Sequence, residues 1–133
     1  MKAGIYKEII ICIVVIIFIV VLNIITESYT KYSVETTSKG LEELKEMINK
    51  EEKNKEEIEE KVSNIKLNWE NNYKKLAYYV EHDELEKVNT ELVSLKANIE
   101  VEEYEQGMPD LEKCIFILQH IKEKSAMQIK NVF

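Results

Sequence analysis

The chain has 133 residues, 18 basic against 25 acidic side chains, a formal net charge of -7 and no arginine. One small domain is all this length holds. An acidic chain without Arg lacks the clustered basic face and bidentate donors that read phosphates and bases, which excludes a nucleic-acid partner. Three Gly and one Pro leave few turns, which suits long helices and argues against the shaped loops of a phosphate-binding enzyme.

The first predicted element is a transmembrane helix over residues 9–25, apolar except for Asn23. It spans roughly 26 Å at ~1.5 Å per residue, enough for a ~30 Å hydrocarbon core if Ile5 and Tyr6 join and Lys7 snorkels. A cleaved signal peptide is the alternative, with Thr26 and Ser28 as imperfect small residues before the cut. Its apolar run would be shorter, about 7–15 residues, so the pattern favours an uncleaved anchor. Lys2, Lys7 and the amino terminus precede the run, whereas Glu27 and Lys31 follow it. The positive-inside bias therefore predicts a single-pass cell-membrane protein with residues 1–8 cytoplasmic and the C-terminal domain extracytoplasmic. So short an inner tail cannot carry the output domain of a transmembrane sensor.

Residues 26–40 are rich in Ser, Thr and Tyr and end at Gly40, which predicts a juxtamembrane linker or irregular helix, with Tyr29 and Tyr32 suited to an interfacial belt. From Leu41 a seven-residue apolar pattern begins. One set runs Leu41, Ile48, Lys55, Val62, Trp69, Leu76, and its companion Leu44, Glu51, Ile58, Ile65, Asn72, Tyr79. It predicts one long helix over about 41–81 whose weakest stretch is marked by Glu51 and Lys55. The charged run over residues 50–61 reads as a solvated helix face.

At Glu81, His82, Asp83, Glu84 and Leu85 the pattern changes phase. Asp83 followed by Glu86 has capping-box spacing, which predicts a structural corner between helices. A second helix over about 84–106 carries Leu85, Val88, Leu92, Leu95 and Ile99 on one stripe. Gly107-Met108-Pro109 predicts the end of that helix at Gly107 and a third helix over about 109–131 with Pro109 in its first turn, presenting Leu111, Cys114, Ile115, Leu118, Ile121, Ala126 and Ile129.

The fold class predicted is all-α: a transmembrane helix followed by a long helix folded back into an antiparallel three-helix bundle over residues 41–133. Reflecting the chain about residue 82 and about 107–108 places Trp69, Leu95 and His120 at one level and brings residues 131–133 beside the His82 corner. It leaves residues 41–57 unpartnered, so Leu41, Leu44, Met47 and Ile48 become a candidate partner-contact strip.

Chemistry-bearing residues are few. The register separates His82 from His120 by roughly 20 Å, too far to share a metal. Trp69, Tyr73, Tyr79 and His120 form a candidate region for a ligand or for the core. Cys12 in the membrane and Cys114 on an apolar face cannot pair, and each reads as a small buried hydrophobe. With no nucleophile beside a base, no phosphate loop and no convergent metal set, the sequence predicts no enzyme, no catalytic residue, no metal and no cofactor.

The apolar anchor, Trp69-Glu70 followed by Leu76 and Tyr79, the corner from Glu81 to Leu85, and Leu118-x-His120-Ile121 ahead of the Asn131-Val132-Phe133 ending resemble the domain-of-unknown-function family numbered 4363. The resemblance covers nearly the whole chain. It implies a small single-pass membrane protein of spore-forming Firmicutes, with the corner and the C-terminus as one structural unit, and it names no activity.

Two functions follow. The first is a membrane-anchored extracytoplasmic helical interaction protein, in contact with the lipid bilayer and with a protein partner or a second copy of itself, accessory to another envelope or membrane protein. The alternative is an extracytoplasmic bundle that senses or binds a small molecule among Trp69, Tyr73, Tyr79 and His120.

Overall fold

The computed structural model describes the backbone of residues 2–132 and side-chain surroundings through residue 128. Its described residues are all-α, in four helices: α1 (Lys2–Asn49), α2 (Lys55–Leu76), α3 (His82–Glu100) and α4 (Tyr104–Val132). Each helix packs on two neighbours, in the ring α1, α2, α3, α4 and back to α1. Cross-helix pairs give the directions. Tyr29 meets Asn72 and Glu43 meets Lys61, Trp69 meets Asn89, Glu84 meets His120, and Lys45 meets Glu112. Numbers rise on one helix as they fall on the next, so all four neighbouring pairs are antiparallel.

The ring closes on one core. Leu41, Leu44 and Ile48 of α1, Ile58, Val62, Trp69 and Leu76 of α2, Leu85, Val88, Leu92, Leu95 and Ile99 of α3, and Leu111, Cys114, Leu118 and Ile121 of α4 are buried. Their alternating three- and four-residue spacing is the pattern that suits helices packed at a shallow crossing angle. Gly40 faces Ile65 so closely that a Cβ there would lie 3.0 Å from its Cγ1. The missing side chain lets α1 and α2 approach.

Three boundaries differ from the sequence reading. First, residues 26–40 are not a linker: they are part of α1, an unbroken helix of 48 residues, and Thr30, Ser33, Val34 and Thr37 are buried in the bundle. The threonine hydroxyls bond along the helix, Thr30 donating to the Thr26 carbonyl at 2.8 Å and Thr37 to that of Ser33 at 2.9 Å. The intrinsic penalty of Ser and Thr is small, and tertiary burial overrides it.

Second, the long helix predicted over 41–81 breaks between α1 and α2. Residues 50–53 carry no apolar side chain to hold a seam. Asn54 then caps α2, its side chain accepting from the Glu57 amide at 3.3 Å, with Glu56 and Glu57 in the first turn. Consequently the first seam segment folds back on the second, and the bundle has four members instead of three.

Third, α3 ends at Glu100 and not at Gly107. The Glu103 amide donates to the Asn98 carbonyl at 2.8 Å and the Glu102 amide to that of Ile99 at 3.0 Å, with Glu102 in the left-handed region at φ 59°. This is a Schellman ending with Glu where Gly is usual. Gly107 and Pro109 lie inside α4, Gly107 buried against Leu95 and Asn98. Moving the corner from 107–108 to 101–103 shifts α4 against α3 by about ten residues, roughly 15 Å. Leu95 thus lies beside Gly107, and His120 beside Glu84, so the predicted common level of Trp69, Leu95 and His120 does not occur.

A left-handed Glu is strained by about 1 kcal/mol, and its side chain makes only an exposed contact at 3.9 Å with Lys55. Glu102→Gly is expected to raise stability by about 1 kcal/mol, read as a higher thermal midpoint in detergent; an unchanged or lower midpoint would show the turn unstrained.

Candidate functional site

The residues singled out by the sequence fall into three places. The Leu41, Leu44, Met47 and Ile48 strip is interior. Leu41 and Leu44 are fully buried, Ile48 nearly so, and Met47 packs against the same core. The strip is covered by α2 and α4 of its own chain, because the fold-back at 50–54 supplies the partner that a three-helix register leaves out. Ion pairs flank it, Lys45 with Glu112 at 2.6 Å and Glu43 with Lys61. It is therefore not a partner-contact surface.

Trp69, Tyr73, Tyr79 and His120 do not converge. Trp69 is fully buried, its indole N–H donating to Asn89 Oδ1 at 2.6 Å. Tyr73 sits between α2 and α3, its hydroxyl donating to Glu86 Oε1 at 2.6 Å and lying 3.1 Å from His82 Nδ1. With its one hydrogen given to Glu86, that oxygen can only accept from the imidazole. The Glu86 carboxylate, as acceptor, also pushes the Tyr73 hydroxyl above its ordinary pKa. His120 lies on the opposite side of α3, with Nε2 3.3 Å from Glu84 Oε1.

The structural corner is where these elements gather. Its backbone turns through Ala77 and Val80, whose amides donate to the carbonyls of Tyr73 and Leu76, while Leu85 enters the core. The helix starts two residues earlier than the capping-box reading. His82 is its first residue, and Glu81 stands at the cap without a side-chain bond to the helix amides. Asp83 and Glu84 occupy the first turn, where the helix dipole favours them, and Glu86 is taken by Tyr73.

Lys124 closes the corner onto α4, with Nζ 2.7 Å from Glu81 Oε1 and 3.5 Å from Glu84 Oε1. Its hydrogen bond holds the Glu81 carboxyl below the usual range and raises the ammonium in return. Nothing in the spacing of Lys124 advertises this role; it becomes visible once α4 is in register. The predicted neighbour of the corner was the 131–133 ending, whose side chains lie outside the described residues.

Between the corner, α1 and α4 lies a cleft of about 480 Å³, lined by Asn23, Thr26, Tyr79, Val80, Glu84 and Lys124 among others. The corner therefore abuts the turn of α1 at which the apolar run ends. Polar groups accumulate here. Tyr29 donates to Asn72 Oδ1 at 2.9 Å, Lys75 lies 5.4 Å over the Tyr29 ring, and Ser33 Oγ and Asn72 Nδ2 are buried without a hydrogen-bond partner. Tyr29 is thereby a bundle residue, whereas Tyr32 is exposed.

Elsewhere, Cys114 is buried, and burial with the nearby Glu91 pushes its thiol up to about 12, leaving it an unreactive core side chain. Asp110 ties α4 to α3, accepting from Ser94 Oγ at 2.7 Å and Asn98 Nδ2 at 3.0 Å. Among the described residues no group of three or more His, Cys, Asp or Glu is placed to hold a metal ion.

Burial of the 41–48 strip changes what a charge there does. Leu44→Lys with Ile48→Lys is expected to abolish cooperative unfolding and reduce helicity, since each buries an unpaired ammonium. A folded, fully helical double variant with altered association would restore the strip as an outer surface.

The family described as Domain of unknown function (DUF4363) matches residues 24–132. That match begins where the apolar run of α1 ends and takes in every helix of the bundle. No curated protein matches the chain, and no solved structure does. With the family matching most of its length, the chain belongs to the DUF4363 family.

Proposed function

We propose that the protein is a membrane-anchored, extracytoplasmic helical interaction protein, an accessory partner of another envelope or membrane protein. The observation that carries the reading is α1. One unbroken helix joins an apolar run, left exposed by its own chain, to a closed helical core. Ile9, Ile13, Ile16, Phe18 and Ile24 are each about half exposed or more, and a run of that length is stable in lipid or against another apolar surface. Lys2 and Lys7 before it favour an inward N-terminus, which puts the bundle outside.

With the 41–48 strip interior, the surfaces open to a partner are the sides of the apolar run and the outward faces of the bundle. An accessory role fits such a plan, because a rigid helix that enters the membrane can be gripped along its whole length.

Two measurements check the reading. Impermeant maleimide on intact cells is expected to label Val101→Cys at the far corner and to spare Lys2→Cys until the membrane is opened; the reverse pattern would invert the topology. Crosslinking in cells, followed by purification of the tagged chain in mild detergent, is expected to enrich one integral membrane protein. Recovery of the chain alone, as a homodimer, would refute the accessory role.

A further inference from the structure

Two observations place the α2–α3 corner at the level where α1 would leave a bilayer, and a third ties it to α4. Asn23 and Thr26 of α1 line one cleft together with Tyr79 and Val80 of the corner. Lys75, in the last turn of α2, lies over Tyr29, and Tyr29 donates to Asn72. Lys124, bonded to Glu81, holds the corner against α4 from the other side. The corner thus lies beside residues 23–29, held by contacts to both α1 and α4.

Distance along α1 then matters. Tyr6 is 65% exposed and precedes Thr26 by twenty residues, roughly 30 Å of helix, which is the thickness of a hydrocarbon core. If Tyr6 sits at one interface, Thr26 and the corner beside it sit at the other.

The corner itself is Ala77, Tyr78, Tyr79, Val80 and Glu81. Tyr78 is 89% exposed, a large aromatic ring extended from a turn with no cover from the chain. Lys74 and Lys75 stand exposed just above it. An amphipathic ring with cations behind it is the composition found where protein meets headgroups. Of the carboxylates at the corner, Glu81 and Glu84 are occupied by Lys124, and the exposed Asp83 sits in the first turn of α3 against the helix dipole.

We propose that this corner is a membrane-contact surface, with Tyr78 seated in the headgroup interface of the bilayer that α1 crosses. The bundle then stands on the membrane instead of being held away from it. This rests on α1 being a transmembrane helix.

The test uses the full-length chain in phosphatidylethanolamine and phosphatidylglycerol vesicles whose lipids carry bromine high on the acyl chain. Tyr78→Trp is compared with Val101→Trp at the opposite corner, each above the constant background of the buried Trp69, with circular dichroism matching the unsubstituted protein in both. Quenching of the added fluorescence at position 78 about twofold or more stronger than at position 101 supports the proposal. Equal quenching at the two positions, with the protein still floating with the vesicles, overturns the contact and leaves the anchor intact. Protein that does not float with the vesicles overturns the anchor reading and the contact with it.

Discussion

Everything in this molecule depends on α1 being one helix in two surroundings. Its backbone hydrogen bonds run without interruption from Lys2 to Asn49, so nothing between the apolar run and the bundle can bend independently. Along that axis only the side chains change. Isoleucine and valine with no cover give way to Thr30, Ser33 and Thr37, small enough to let α2 and α4 approach, and then to Leu41, Leu44 and Ile48, which fill the far half of the core. Small hydroxyl residues suit the transition because they take little space, and Thr30 and Thr37 bond their own helix.

Polar bonds join the helices at both ends of the core, Tyr29–Asn72 and Trp69–Asn89 in the half beside the apolar run and Asp110 with Ser94 and Asn98 in the far half. Each such pair is satisfied in one register, and sliding a helix by a turn would strand a donor away from water. Aliphatic layers provide cohesion, and the polar pairs select among the alignments that cohesion alone would tolerate.

How much of this the sequence displays is instructive. The apolar run of α1, the stripes of α3 and α4 and the corner at Glu81 are all legible, because each is a local pattern. The break after Asn49 is hidden by arithmetic. Ile48 and Ile58 are ten residues apart, three plus seven, so the heptad phase on the two sides agrees as though the helix were continuous. Both segments point their seams into the same core, and periodicity cannot tell a folded hairpin from a straight rod. The visible cue was Asn54 with Glu57, a capping pair at the end of a stretch without apolar residues. The burial of residues 30–37 was likewise open to extrapolation, since stepping back from Leu41 by fours and threes reaches Thr37, Val34 and Thr30; composition hid it. Gly107-Met108-Pro109 misled in the opposite sense. Glycine there answers to the nearness of Leu95, and the turn is made by Glu102, a residue no propensity scale would choose. Those errors moved the register, and with it every inferred neighbour of His120 and of the 41–48 strip.

An unbroken α1 also has a consequence for recognition. Each residue of helix adds about 100° of rotation and about 1.5 Å of rise, so any face of the exposed apolar run and the face that the bundle turns outward stand at one fixed angle. A protein touching both meets a single rigid body and loses its orientational freedom once, whereas two sites on a flexible tether would have to be ordered separately. Inserting one residue near Thr26 would leave both surfaces chemically intact and yet turn them out of step by about a quarter of a revolution.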